Sequence, residues 1–291
     1  MRIVVLGARG QLGSAVVQEV KKAKEAQGAG LRHDVLAFGH QDLDVTDARA
    51  VQVEMARVRP DVIVNCTGYN AVDLSEDRPV EALRLNAFAV RNMARAAAAM
   101  SAMFVHYGSD FVFDGETDRP YTEEDPPNPR STYAASKLLG EWFAEDAPQA
   151  YILRVESLFG QVPGAGPPRG SAERIVSGLA AGAPVTVFGD RVVSPTYVFD
   201  AARATLALVE RRSPPGLYHC VNSGHATWAD FAREAARLLE VDPKLEVVSV
   251  ADVQLKAPRP RYCALSNAKL AAAGVPMPTW ESALARFILE D

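Results

Sequence analysis

Three cysteines in 291 residues, Cys66, Cys220 and Cys263, are scattered and odd in number, which excludes a disulfide framework. No Cys-x-x-Cys spacing offers a structural zinc site. No stretch approaches the ~20 apolar residues of a membrane span, and the opening run Ile3 to Leu6 stops at Gly7, short of a signal-peptide core. Positive charge is not in excess either: the formal net charge is −5 and the only basic cluster is KKAK at 21–24, so nothing attracts a phosphate backbone in general. These absences set aside nucleic acid and membrane as partners and fit a reducing cytoplasm. No internal repeat or low-complexity tract appears, and the composition is that of an ordinary soluble globular protein.

What is present is a rhythm. Short β-branched runs (RIVVLG, DVLAF, DVIVNC, AMFVHYGS) alternate with helical patterns from about Gln11, near Ala48, over Val80 to Ala99, and around Tyr133. This is the βαβ repeat of a parallel sheet covered on both faces. YILRV from Tyr151 and PVTVF at 184–188 read as further strands. After the Gly/Pro-rich QVPGAGPPRG at 161–170 the pattern loosens into helices near Glu173 to Ala181, Phe199 to Glu210 and Thr227 to Leu239, with short strands LYHCV and LEVVSV. The fold expected is α/β, a Rossmann-type doubly wound parallel sheet over 1–160, with part of 184–215 returning to it. A smaller α/β lobe over 161–291 is interleaved with the end of the sheet.

Directly after the first strand, Gly7-Ala8-Arg9-Gly10-Gln11-Leu12-Gly13 opens a helix, the place where a dinucleotide's pyrophosphate is received. The second strand ends in Gly39-His40-Gln41 without the acid that accepts the ribose 2′-hydroxyl of NAD, and Arg9 can instead meet a 2′-phosphate. The cofactor indicated is NADPH, with NADH as the alternative. Further along, Tyr133 and Lys137 stand four apart on a helix and therefore share a face. A neighbouring ammonium lowers a phenol's pKa from about 10, so the pair reads as a proton donor and its electrostatic tuner.

With the glycine turn, VNCTGYNAVDLSED, GSDFVFDG and YAASKLLGE in order, and SPTYVFDAA, LYHCVNSGHATWADFA and the arrangement from Arg259 through Trp280 beyond them, the chain resembles the dTDP-4-dehydrorhamnose reductase family of extended short-chain dehydrogenases/reductases. The resemblance implies a catalytic set of Ser109, Tyr133 and Lys137, acting on a nucleotide-linked 4-keto-6-deoxysugar. Hydride reduction of a ketone leaves an alkoxide, which needs a polarising donor, here Ser109, and a proton source, here Tyr133. By the same resemblance Lys137 binds the nicotinamide ribose, Asn86 anchors a proton-relay water, and Asp44 and Val45 border the adenine. Cys66, Thr67 and Gly68 line the cofactor through their backbone, and a homodimer is among the assemblies allowed.

Two departures bear on the substrate. Related sugar-nucleotide dehydratases place an Asp-Glu pair after the strand-end Thr; here Ser109-Asp110-Phe111 lacks the glutamate, which disfavours dehydration. Where the family reads Arg-Thr-Ser-Trp-Val-Tyr-Gly, this chain has RVESLFG from Arg154, so Ser157 replaces a tryptophan expected to pack on substrate. Asp110, Phe111, Ser157 and Arg259, the last as a diphosphate clamp, complete the expected substrate residues. Ala15 occupies the early position of the carboxylates associated with magnesium in some members, so no metal requirement is expected. His33, His40, His106, His219 and His225 lack ligand spacing, and Trp142, Trp228 and Trp280 suit packing. The alternatives are a non-catalytic NADP-binding subunit, like the regulatory subunit of methionine adenosyltransferase, and a sugar-nucleotide 4-epimerase with tightly held NAD.

Overall fold

The computed structural model describes residues 1–26, 33–162 and 170–289; most of the Gly/Pro-rich loop at 161–170 lies outside the described residues. Six parallel strands form the central sheet, in the spatial order Gly216–His219, Ala150–Val155, Met103–Ser109, Val62–Asn65, Arg2–Leu6, Asp34–Phe38. Their apolar residues alternate between two cores. Ile3, Val5, Val62 and Val64 enter one apolar layer, while Val4, Leu6, Ile63 and Phe104 enter the other with Met55 and Met93. Burial on both faces explains why these strands read as continuous β-branched runs rather than as alternating ones.

The strand order reverses between Arg2–Leu6 and Val62–Asn65, and crevices at such a reversal are where open α/β sheets bind ligands. Gly7 stands at that point with φ +77°, and a Cβ there would lie 2.8 Å from the Cys66 carbonyl. Only glycine tolerates both the backbone conformation and the approach. Helix Gln11–Ala26 follows the turn, and helix Val198–Arg211 packs along it.

The single helix expected over Val80 to Ala99 is broken into Pro79–Leu83, a wide π turn at Arg84–Phe88 and Ala89–Met100. The π turn brings Asn86 O against Gly140, where a Cβ would come within 2.1 Å of it. Position 140 thus has room for no side chain. The return to the sheet also differs from expectation. Val185–Phe188 pairs with Leu245–Val248 outside the central sheet, and the strand that rejoins it is Gly216–His219. Trp228 and Trp280 pack on Phe231, but Trp142 is 58% exposed, on the outer face of its helix. His33, His106 and His219 are buried and bonded to Glu210, Asn65 and the Tyr121 carbonyl respectively.

Helix Thr132–Ala144 begins at Ser131, whose hydroxyl accepts from the Ala134 amide at 3.2 Å. It is fixed to the sheet by a buried ion pair: Arg154 Nη2 and Nε donate to Glu141 Oε2 at 2.8 and 3.1 Å, and the guanidinium lies 4.9 Å from the Phe113 ring. Removing one partner of a buried pair leaves an uncompensated charge. Glu141→Ala is therefore expected to lower stability by about 3–5 kcal/mol, read as a shift of the urea midpoint. A loss within the ordinary range of surface substitutions contradicts this clamp.

Candidate active site

The cleft at the strand reversal begins as a cavity of about 570 Å³ lined by Gly7, Arg9, Gly10, Asp44, Val45, Cys66, Thr67 and Gly68, all expected from the sequence. A second cavity of about 310 Å³ shares Gly10, Cys66, Thr67 and Asn70 with it and continues to Gln11, Leu12, Ser109, Tyr133 and Lys137. A Cβ on Gly13 would lie 2.3 Å from Gly7 O, so the turn closes only with glycine there. The first-turn amides of helix Gln11–Ala26 stand at its open end, where an anion is favoured. The Gln11 side chain itself is committed to Gly160 O at 3.0 Å and Glu173 Oε1 at 2.8 Å. A glycine-lined, amide-rich trough that runs from an open cavity to a phenol fits an extended dinucleotide.

Arg9 lies over the end of the second strand, donating to Gln41 Oε1 and to both Asp42 oxygens at 3.1–3.2 Å. Asp42 also accepts from the Gly39 amide at 2.7 Å, so an acid does reach this strand end, three residues later than the usual ribose acceptor, and already paired. Arg84, from the π turn, lines the same cavity and was not singled out from the sequence. Asp44 is held below the usual carboxylate range by two hydrogen bonds from Thr46, of its hydroxyl and its amide.

Ser109 ends the strand Met103–Ser109 and caps a 3₁₀ turn over Asp110–Val112, accepting from the Phe111 amide at 3.2 Å. Its hydroxyl shares the inner cavity with Tyr133, whose ring meets the edge of Phe111 at 5.4 Å between centroids. Lys137 Nζ donates to the Tyr107 carbonyl at 2.5 Å. The three expected catalytic residues thus share one cavity, but the electrostatics differ from the i,i+4 argument. Burial pushes the Tyr133 phenol up to about 12, with Asp110 adding to the shift and Ser109 opposing it. The ammonium of Lys137 is directed at a carbonyl, and burial lowers it to about 8. Desolvation sets the shift, so Tyr133 is a protonated phenol throughout the neutral range.

The Asn86 side chain is committed within the protein. At 1% exposure, its Oδ1 accepts from the Tyr69 amide at 2.7 Å, and its Nδ2 donates to Tyr69 O and Ser136 Oγ. It ties the loop after Val62–Asn65 to the helix of Tyr133. Arg259 pairs with Asp73 at 2.7 Å, and its guanidinium lies 5.7 Å from the ring of Phe111. Ser157 does line the inner cavity, at φ +44°.

Sequence reasoning missed Glu156 and Arg191. Glu156, from the neighbouring strand end, lies against Asp110. The RVESLFG segment contained the signal, since a glutamate directly after a buried strand is costly unless it has a task.

A family profile described as the RmlD substrate binding domain matches residues 1–291. A probable dTDP-4,6-dihydroxy-2-methyloxan-3-one 4-ketoreductase of Streptomyces antibioticus is 35% identical over 98% of this chain and 93% of its own length. A dTDP-4-dehydrorhamnose reductase of Streptomyces griseus is also 35% identical, over 97% of this chain and 91% of its own. Among solved structures, the dTDP-4-dehydrorhamnose reductase of Bacillus anthracis in complex with NADP superposes with a TM-score of 0.90 at 29% identity, covering 100% of this chain and 99% of that one.

The Lys137 shift is directly measurable. The side chain is charged below about 8 and neutral above it. Between about 8 and 10.5 the unfolded chain holds a proton that the folded one has lost, so its contribution to stability rises with pH across that window. In ¹³C-lysine NMR of the cofactor-free protein, one of the seven lysines is expected to titrate near 8, its signal vanishing in Lys137→Met. Seven unshifted lysines contradict the burial described here.

Proposed function

The chain belongs to the family of the RmlD substrate binding domain, and on that premise we propose that it is an NADPH-dependent oxidoreductase that reduces the ketone of a dTDP-linked 4-keto-6-deoxysugar. The observation that carries this reading is the gathering of Ser109, Tyr133 and Lys137 at the inner end of a glycine-lined cleft. NADPH, when bound, supplies hydride from its nicotinamide C4. Gly7, Gly10 and the amides of Gln11, Leu12 and Gly13 receive the diphosphate. Cys66, Thr67 and Gly68 line the cofactor through their backbone, and Asp44 and Val45 border the adenine. Arg9 exchanges Asp42 for the 2′-phosphate, with Arg84 as a second cation in the same cavity.

Ser109 donates to the ketone oxygen, Tyr133 delivers its proton to the alkoxide, and the Lys137 cation favours the phenolate left behind. Asp110, Phe111 and Ser157 face the sugar, and the missing aromatic at 157 leaves a polar wall there. Residues 1–160 with the returning strand act as the cofactor half, and 161–291 as the substrate lobe. No helix among the described residues is long and apolar enough to cross a membrane. A cytoplasmic location belongs to the same proposal. So does a homodimer, supported by the exposed Trp142 and Phe88.

NADPH oxidation against a panel of nucleoside diphosphate 4-ketosugars, with dTDP-4-dehydrorhamnose included, tests the reading. Tyr133→Phe is expected to bind NADPH normally and to lose about 10²–10⁴ in kcat; unchanged turnover removes Tyr133 from the mechanism. Arg9→Ala is expected to raise KM for NADPH about tenfold or more while leaving that for NADH unaffected. A clear wild-type preference for NADH contradicts the role of Arg9.

A further inference from the structure

Glu156 has no part in the reductase chemistry described so far, yet it stands just past the strand Ala150–Val155 in the cavity of Tyr133. It is 2% exposed, and Asp110 is 4% exposed. An oxygen of each and Cys263 Sγ lie within 4.8 Å of one another. Each carboxyl has one committed oxygen: Asp110 Oδ1 accepts from Ser109 Oγ at 3.0 Å, and Glu156 Oε2 accepts from the Ser194 amide at 2.7 Å. Asp110 Oδ2 and Glu156 Oε1 are buried without any hydrogen-bond partner among the described residues. A buried, unsatisfied oxygen is costly, and two ionised carboxylates side by side are costlier still. One proton held between them relieves both.

We infer that Asp110 and Glu156 hold a single proton between them, and that this proton reloads Tyr133 through the Ser109 hydroxyl after each reduction. The inference rests on the reductase reading of the same cavity. The groups stand side by side on the protein side: Tyr133, Ser109 and Asp110 line one cavity, and Ser109 Oγ lies 3.0 Å from Asp110 Oδ1. When Tyr133 gives its proton to the alkoxide it becomes a phenolate. Ser109, released from the product oxygen, passes its hydroxyl proton to that phenolate and takes a proton from the Asp110 carboxyl, which turns so that its protonated oxygen, in place of the accepting Oδ1, faces Ser109 Oγ. The pair is left doubly ionised against Arg191, and a proton from water restores it. No electron moves in this sequence, and each O–H bond broken is matched by one formed.

The groups that face the pair are consistent with this role. Arg191 is the cation that faces both carboxyls, and it also lies 3.8 Å from Cys263 Sγ and 5.4 Å from the Phe111 ring. Cys263 and Tyr262 approach from the C-terminal segment, both shifted upward by burial and so neutral, and Tyr133 and Ser109 stand on the nucleotide side. Burial raises both carboxyls; the mutual repulsion adds to the rise at Glu156, and Arg191 opposes it at each. The shared proton is therefore kept toward neutral pH and lost as pH rises through the raised range, the reverse of an ordinary surface carboxylate.

Infrared difference spectroscopy of the ligand-free protein, titrated over pH, reads the shared proton without any sugar. A protonated buried carboxyl band is expected at pH 7 in the wild type and is expected to be lost in both Glu156→Gln and Asp110→Asn. NADPH binding and thermal melting of each variant establish that it is folded. With a ketosugar substrate, Glu156→Gln is expected to reduce kcat about 10²-fold above pH 7 with KM for NADPH unchanged, and to recover as pH falls and Asp110 alone takes up the proton. A band absent from the wild type, or present in both variants, overturns the shared proton. A kcat–pH profile of Glu156→Gln that overlays the wild type overturns the relay. If no ketosugar is reduced at all, the reductase reading fails, and with it the relay that rests on it, while the infrared titration still decides the shared proton.

Discussion

The buried ion pair between Arg154 and Glu141 is the constraint on which the site depends. The helix that carries Tyr133 and Lys137 is tied to the sheet by this pair and by the Lys137 bond to the Tyr107 carbonyl, and to the preceding π turn by the Asn86 bond to Ser136. Two of these bonds use charges that are no more than about 5% exposed. Such charges are expensive to bury singly, so each holds its partner at a fixed distance. The position of the phenol relative to Ser109 follows from that fixed distance. Gly108 and Gly140 complete the arrangement, since a Cβ at either would collide with Glu141 or with the Asn86 carbonyl.

The cofactor end obeys a different economy. There the sheet contributes backbone rather than side chains, because the reversal of strand order leaves the carboxyl ends of Arg2–Leu6 and Val62–Asn65 diverging around an open trough. Glycine at 7 and 13 lets the turn close on itself and on Cys66. Few side chains are needed for the diphosphate. The charged side chains that do appear, Arg9, Asp42, Asp44 and Arg84, sit further out, where the nucleoside would be distinguished.

Much of this was legible in the sequence, for a physical reason: strands, helices and the glycine turn are local patterns. The β-branched runs, the Gly-x-x-Gly-x-x-Gly spacing and the strand-end Ser109 all appear where they were expected. What the linear pattern hid is what depends on pairing across the chain. The return to the sheet at Gly216–His219 rather than within 184–215 is set by the partner strand Ala150–Val155. Asp42 reaches back to Gly39 and Arg9, Arg259 is taken by Asp73, and Glu156 meets Asp110, none of which a one-dimensional spacing encodes. The sign of the Tyr133 shift was misread because helical spacing places two residues on one face, but burial decides which charge state survives there.

The substrate end is where this chain departs from the motif it otherwise follows. Ser157 replaces a flat aromatic wall, and Glu156 beside it brings a second carboxyl to Asp110. On the proposed function, recognition there rests on hydrogen bonds to the sugar hydroxyls rather than on stacking, and Ser109, Tyr133 and Lys137 carry the ketone reduction. Reaction with NADPH deuterated at nicotinamide C4, followed by mass spectrometry and NMR of the sugar nucleotide, tests that claim most directly. The account expects one deuterium on the former carbonyl carbon at C4 of the sugar. A product without deuterium, or one formed equally well without NADPH, contradicts it.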